Sequence, residues 1–170
     1  MSFTITKGDL FDPAHCFNLI GQGVNCRGIM GAGIAVPFKQ KYPDMFTEYT
    51  TLCDLFPNLL PGTAQVWIGD GTGLPDVVNL FSQYQPGRDN AEMEYLESAL
   101  FCMDTQLNLV QTTMRVIAEA SGFGFSEIPL RIGLPLIGGG IGGLQRHNII
   151  NSMEIILGPS KHEYVLVERD

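Results

Sequence analysis

Two glycine-rich runs hold the residues best suited to chemistry in this 170-residue chain. Residues 25–43 read NCRGIMGAGIAVPFKQKYP, which sets Asn25, Gly31, Ala32, Gly33 and Ile34 just ahead of helix-forming sequence. Residues 135–145 read PLIGGGIGGLQ and bring Gly139, Gly140, Ile141, Gly142, Gly143 and Leu144. Glycines at such places expose several backbone N–H groups with no side chain in the way. With the start of a helix behind them, they form an anion site that needs neither Lys nor Arg. Two runs from distant parts of the chain could hold a diphosphate from both sides. Neither run is a Walker A loop, which would need G-x-x-x-x-G-K-[ST]. GVNCRG and GIMGAG, around the first run, are not G-x-G-x-x-G.

The composition agrees with a site built from amides. Formal net charge is −8, with 45% hydrophobic and 16% charged residues. The charge disfavours non-specific grip on a phosphate backbone, so a nucleic-acid partner is not expected, and the apolar content suits one packed domain spanning residues 1–170. Cys16, Cys26, Cys53 and Cys102 are scattered without C-x-x-C or His spacing, so they read as thiols of a reducing compartment. No metal or cofactor is expected. No apolar run reaches membrane-spanning length and MSFTITKGDL lacks a signal-peptide core, so the expected location is the cytoplasm.

The elements that must position these loops alternate between strand and helix. Strands are expected at residues 3–6, from Leu19 toward Asn25, at 64–68, 76–83, 130–137 and 164–167. Helices are expected from about Ala32 to Gln40, from Pro43, along 93–117 and around Ile149–Leu157. The stripe Met93, Leu96, Leu100, Met103, Leu107, Val110, Met114, Ile117 steps by three and four, as one helix face does. Apolar strands between helices give an α/β fold, with a mixed, mostly parallel sheet flanked by helices in three layers. In such sheets ligands lie beyond the carboxyl ends of the strands, where both glycine runs fall.

Taken in order, Gly8-Asp9-Leu10, Asn25-Cys26 before G-A-G-I-A, the VVNLF strand and P-x-I-G-G-G-I-G-G-L-Q resemble a macro domain from about residue 4 to 167. The branches they look most like remove terminal ADP-ribose, antitoxin macro domains included, or are yeast-type ADP-ribose-1″-phosphate phosphatases. The resemblance implies ADP-ribose or a related nucleotide as ligand, and it allows an ADP-ribosylated protein as a partner. Asp9 would accept from the adenine amino group beside the Leu10 amide, and Asn25 would meet the distal ribose. Gly31 to Ile34 and Gly139 to Leu144 would cradle the diphosphate.

The sequence departs from the family where the chemistry is done. Gln83 stands where terminal-ADP-ribose hydrolases carry Lys, and Gly142 where some add Asp. Gln22, Ala35 and Met30 replace His, Asp and His of other branches. Gln and Met cannot exchange protons near neutral pH. One reading is a recognition or sequestering module. The alternative is a hydrolase of 1″-substituted ADP-ribose, in which a ligand phosphate activates a water that Asn25 orients. Gly142 and Gly143 are expected to leave the distal-ribose end roomy. His15 reads as a surface residue, Trp67 as core and Tyr164 as a poor candidate for stacking on adenine. Tyr84, Gln85, Arg88 and Asp89 are expected near the pocket mouth, and Arg27 inside the first loop.

Overall fold

The computed structural model describes residues 2–69 and 71–169. Among these, six strands form one sheet: β1 (Phe3–Lys7), β2 (Leu19–Asn25), β3 (Ala64–Trp67), β4 (Asp76–Gln83), β5 (Arg131–Leu134) and β6 (Glu163–Glu168). Their spatial order is β1-β6-β5-β2-β4-β3, and every pairing is parallel except β3 against β4. The four α-helices are α1 (Ala35–Lys41), α2 (Pro43–Leu55), α3 (Met93–Ala120) and α4 (Arg146–Leu157).

Alternation along the central strands sends side chains to two separate cores, and this makes the three layers. Ile20, Val24, Val77 and Phe81 pack with Phe38, Met45 and Tyr49 of α1 and α2. Leu19, Val78, Leu80, Ile132 and Leu134 pack with Leu96, Leu100, Met103, Ile149 and Met153 of α3 and α4. Trp67 is half-buried at the margin of the first core, edge-on to Tyr42. Tyr164 is fully buried, its hydroxyl donating to Asp104 at 2.8 Å.

The expected elements are present, with shifts that have local causes. Helix α1 starts at Ala35 rather than Ala32, because Gly33 takes φ 60° and turns the chain first. β5 stops at Leu134, ahead of Pro135, which has no N–H for the ladder. The α3 stripe is buried only as far as Leu107, and Val110, Met114 and Ile117 are exposed. The helix outruns the sheet beneath it. Among the described residues, no helix is long and apolar enough to cross a membrane.

Candidate functional site

A cleft of about 960 Å³ lies across the carboxyl ends of the parallel strands. Asp9, Leu10, Asn25, Gly31, Ala32, Gly33 and Ile34 line it on the β1, β2 and α1 side. Gly139, Gly140, Ile141 and Gly142 line it from the β5–α4 loop. Gly143 and Leu144 do not. The Gly143 amide turns back to Gly140 O at 3.3 Å and the Leu144 amide to Gly138 O at 2.8 Å. The Leu144 side chain packs into the core below.

The first loop is shaped by Asn25. Its Oδ1 accepts from the N–H groups of Arg27 at 3.0 Å and Ile29 at 3.2 Å, and from the Tyr49 hydroxyl at 3.1 Å. Its Nδ2 donates to Ile29 O at 2.7 Å. Two backbone donors on one oxygen fix which end of the amide is oxygen, and they make this an Asx-type turn. The oxygen is committed, and one Nδ2–H remains to offer a ligand. Beyond this turn, the amides of Gly31, Ala32, Gly33 and Ile34 donate to nothing among the described residues. With only seven residues behind the loop, a helix dipole adds little to these amides.

The second loop turns its carbonyls inward. Ile141 O accepts from Asp89 N at 2.9 Å and Gly142 O from Ala91 N at 3.2 Å, while Gly138 and Gly140 receive the two amides already named. The N–H groups of Gly140, Ile141 and Gly142 make no hydrogen bond among the described residues. Asp89 adopts φ 58° to reach the loop. The two loops nearly meet, since a Cβ at Gly33 would lie 3.9 Å from Ile141 Cδ1.

The structure corrects the expectation that Gly142 and Gly143 leave open space. A Cβ at Gly142 would stand 2.8 Å from Ala91 Cβ and 2.9 Å from both Cα and O of Gly138. At Gly143 the Asp89 carboxylate and backbone fill the same volume. These glycines are there because backbone passes against them, and the distal end gains no room from them.

At the β1–β6 end, Asp9 is exposed and its Oδ1 accepts from Phe11 N at 3.0 Å. Its Oδ2 and the Leu10 N–H are unpartnered among the described residues, an acceptor and a donor side by side. Phe11 lines the cleft next to them, edge-on to Phe38 at 4.9 Å, with Lys41 Nζ 5.3 Å from its ring centroid. Sequence reasoning missed Phe11 and Lys41. A signal existed in the aromatic two positions after Asp9. The lining residues with ionisable side chains are Asp9, Lys41, Glu168 and Arg169. Glu168 is held by Arg146 through two bonds of 2.7 Å, a pair that anchors the start of α4 to the end of β6.

The β2–β4 end is different. Asn25, Ser82, Gln83, Pro86 and Gly87 line it, and none is ionisable. Gln83 Nε2 donates to Gln85 O at 2.9 Å. Of the residues expected near the mouth, Tyr84 donates its hydroxyl to Asn58 at 2.8 Å, and Arg88 and Arg27 are exposed outside the lining. His15 is half-buried rather than on the surface, stacked on Phe17 at 4.9 Å. Beneath the first loop, burial pushes the Cys26 thiol up to about 12 and raises those of Cys53 and the Tyr49 phenol, so all three stay protonated near neutral pH. Among the described residues, no group of three or more His, Cys, Asp or Glu could hold a metal ion.

Solved structures of the same architecture were found. The macrodomain of Thermus aquaticus DarG superposes with a TM-score of 0.76 at 22% identity, covering 98% of this chain and 97% of that one. The chain has the macro-domain fold. Thermosipho africanus DarTG in complex with ADP-ribose gives a TM-score of 0.73 at 16% identity, over 97% of this chain and 41% of that one. No protein-family model matches. Among curated proteins, the DNA ADP-ribosyl glycohydrolase of Mycobacterium tuberculosis is 30% identical over 110 residues, 65% of this chain and 28% of that protein. An ADP-ribose 1″-phosphate phosphatase of Aspergillus clavatus is 50% identical over 50 residues, 29% of this chain and 25% of that protein. The match thus spans little more than a quarter of the length of the first curated relatives.

Proposed function

We propose that this macro domain binds ADP-ribose or a derivative of it and acts as a recognition or sequestering module. The observation that carries the reading is the pair of facing loops, whose amides at Gly31–Ile34 and Gly140–Gly142 lack partners among the described residues. Amides so presented suit a diphosphate, and they do so in a protein of net charge −8. At the β1–β6 end, Asp9 Oδ2 and the Leu10 N–H match the donor and acceptor of the adenine Watson–Crick edge. Phe11 offers a ring to stack on the base. At the β2–β4 end the remaining Asn25 N–H is suited to a ribose hydroxyl.

Recognition is favoured over turnover because, among the described residues, no ionisable side chain lines the β2–β4 end. Asn25 Oδ1 already accepts three donors and has no basicity to contribute. A second reading, hydrolysis of 1″-substituted ADP-ribose, is supported by the activities that the two curated relatives are named for. In that case the ligand's own phosphate takes the proton from a water to which Asn25 Nδ2 donates.

Calorimetric titration with ADP-ribose, beside AMP and NAD, tests the binding. Micromolar affinity for ADP-ribose, much weaker for the controls and lost in Asp9→Ala, supports it. Equal binding of AMP, or none of any ligand, refutes it. We further infer that the partner is free nucleotide or modified protein rather than DNA, since Lys41 and Arg169 are the cations lining the cleft. Tighter binding of an ADP-ribosylated oligonucleotide than of ADP-ribose would reverse that choice.

A further inference from the structure

The β2–β4 ladder breaks register at the cleft. Val24 is opposite Phe81, and the next residue, Asn25, is opposite Gln83. Ser82 is the extra residue of a bulge, with no partner across the ladder. Bulges re-aim the side chain they carry and gather beside working sites. Ser82 is 1% exposed and lines the cleft, and its hydroxyl makes no hydrogen bond among the described residues. Its backbone carbonyl accepts from Glu92 N at 3.0 Å. On β2, Gly23, the ladder partner of Leu80, leaves the space beside the hydroxyl empty: a Cβ there would lie 2.8 Å from Ser82 Oγ and 2.5 Å from Ile137 Cγ2. A side chain there would cover the hydroxyl. The hydroxyl is not among the sealed polar atoms of the interior, so it meets the cleft, where a ligand or an ordered water can pair with it.

We propose that Ser82 is a ligand-contacting residue, whose hydroxyl pairs with a hydroxyl of the sugar at the β2–β4 end of the cleft. The proposal rests on the nucleotide-sugar reading given above. Asn25 can only donate there, because its oxygen is already filled. A sugar diol brings donors as well as acceptors, and a serine hydroxyl both gives and accepts. Together the Asn25 N–H and Ser82 Oγ answer both needs from neighbouring strand ends.

The test compares parent and Ser82→Ala by calorimetry, each titrated with ADP-ribose and with ADP, which lacks the second sugar. Ser82→Ala is expected to weaken ADP-ribose about fivefold, the worth of one hydrogen bond, and to leave ADP within about twofold. Unchanged ADP-ribose affinity, as would follow if Ser82 served only a water, overturns the role of Ser82. Equal weakening of both ligands overturns it too, since that is the signature of a disturbed fold. A parent protein with no preference for ADP-ribose over ADP overturns the nucleotide-sugar reading itself.

Discussion

Replacing Asn25 with Ala separates what this residue does for the loop from what it does for a ligand. The substitution removes the bonds from Arg27 N at 3.0 Å and Ile29 N at 3.2 Å, and the one to Ile29 O at 2.7 Å. The Tyr49 hydroxyl is not orphaned, since it also donates to the Asn25 carbonyl at 2.8 Å. Arg27 and Ile29 are exposed, so their backbone groups can return to water. Each lost bond then costs about 0.5–1 kcal/mol, for a total of about 2 kcal/mol. For a chain of this size that lowers the melting temperature by roughly 4–8 °C. The assay is thermal unfolding without ligand, with Gln83→Ala as the neighbouring control, because that side chain bonds only Gln85 O. The control should stay within about 2 °C of the parent, as surface substitutions do. An Asn25→Ala protein melting within about 1 °C of the parent would refute the reasoning, because the turn would then hold without its side chain.

Gly142→Ala forces a Cβ against Ala91 and Gly138, so the second loop must shift. Loss of about 1–3 kcal/mol of stability is expected, as for other overpacked sites, with weaker ADP-ribose binding in calorimetry. His162 is fully buried, and its Nδ1 accepts from Leu130 N at 3.3 Å. Burial holds its pKa below the ordinary 6.5, so the unfolded chain takes up the proton first. Stability measured by urea unfolding should therefore fall as pH drops below about 6.5, and His162→Asn should flatten that slope. Among the thiols, exposed Cys16 should react quickly with a disulfide reagent at pH 8 in the native protein. Cys26, pushed up to about 12, and buried Cys53 should react only after unfolding.

The fold could be read from the chain because its elements announce themselves locally. The 76–83 run is apolar and bounded by turn residues, and Pro43 opens α2 at its first position. Where a boundary moved, the local signal was absent. The polar first turn of α4, Arg146 to Asn148, has no apolar stripe to mark it, so Ile149 looked like the start. The Val110, Met114 and Ile117 stripe identifies a helix face but says nothing of where the sheet beneath it ends. The glycine loops were legible as places for amides. Which amides remain open was not, because that depends on returns such as Leu144 N to Gly138 O. The crowding at Gly142 comes from Ala91, and the bulge at Ser82 from the register of β4 against β2. Both are contacts between segments far apart in sequence.

The central claim is that two facing rows of backbone amides hold a diphosphate. Its most direct test is to follow every backbone N–H by nitrogen-15 NMR during titration with ADP-ribose. The account predicts that the largest shifts fall on Gly31, Ala32, Gly33 and Ile34, and on Gly140, Ile141 and Gly142. Gly143 and Leu144, whose amides are already bonded within the loop, should move less. Saturable binding that leaves both loops unshifted would contradict it.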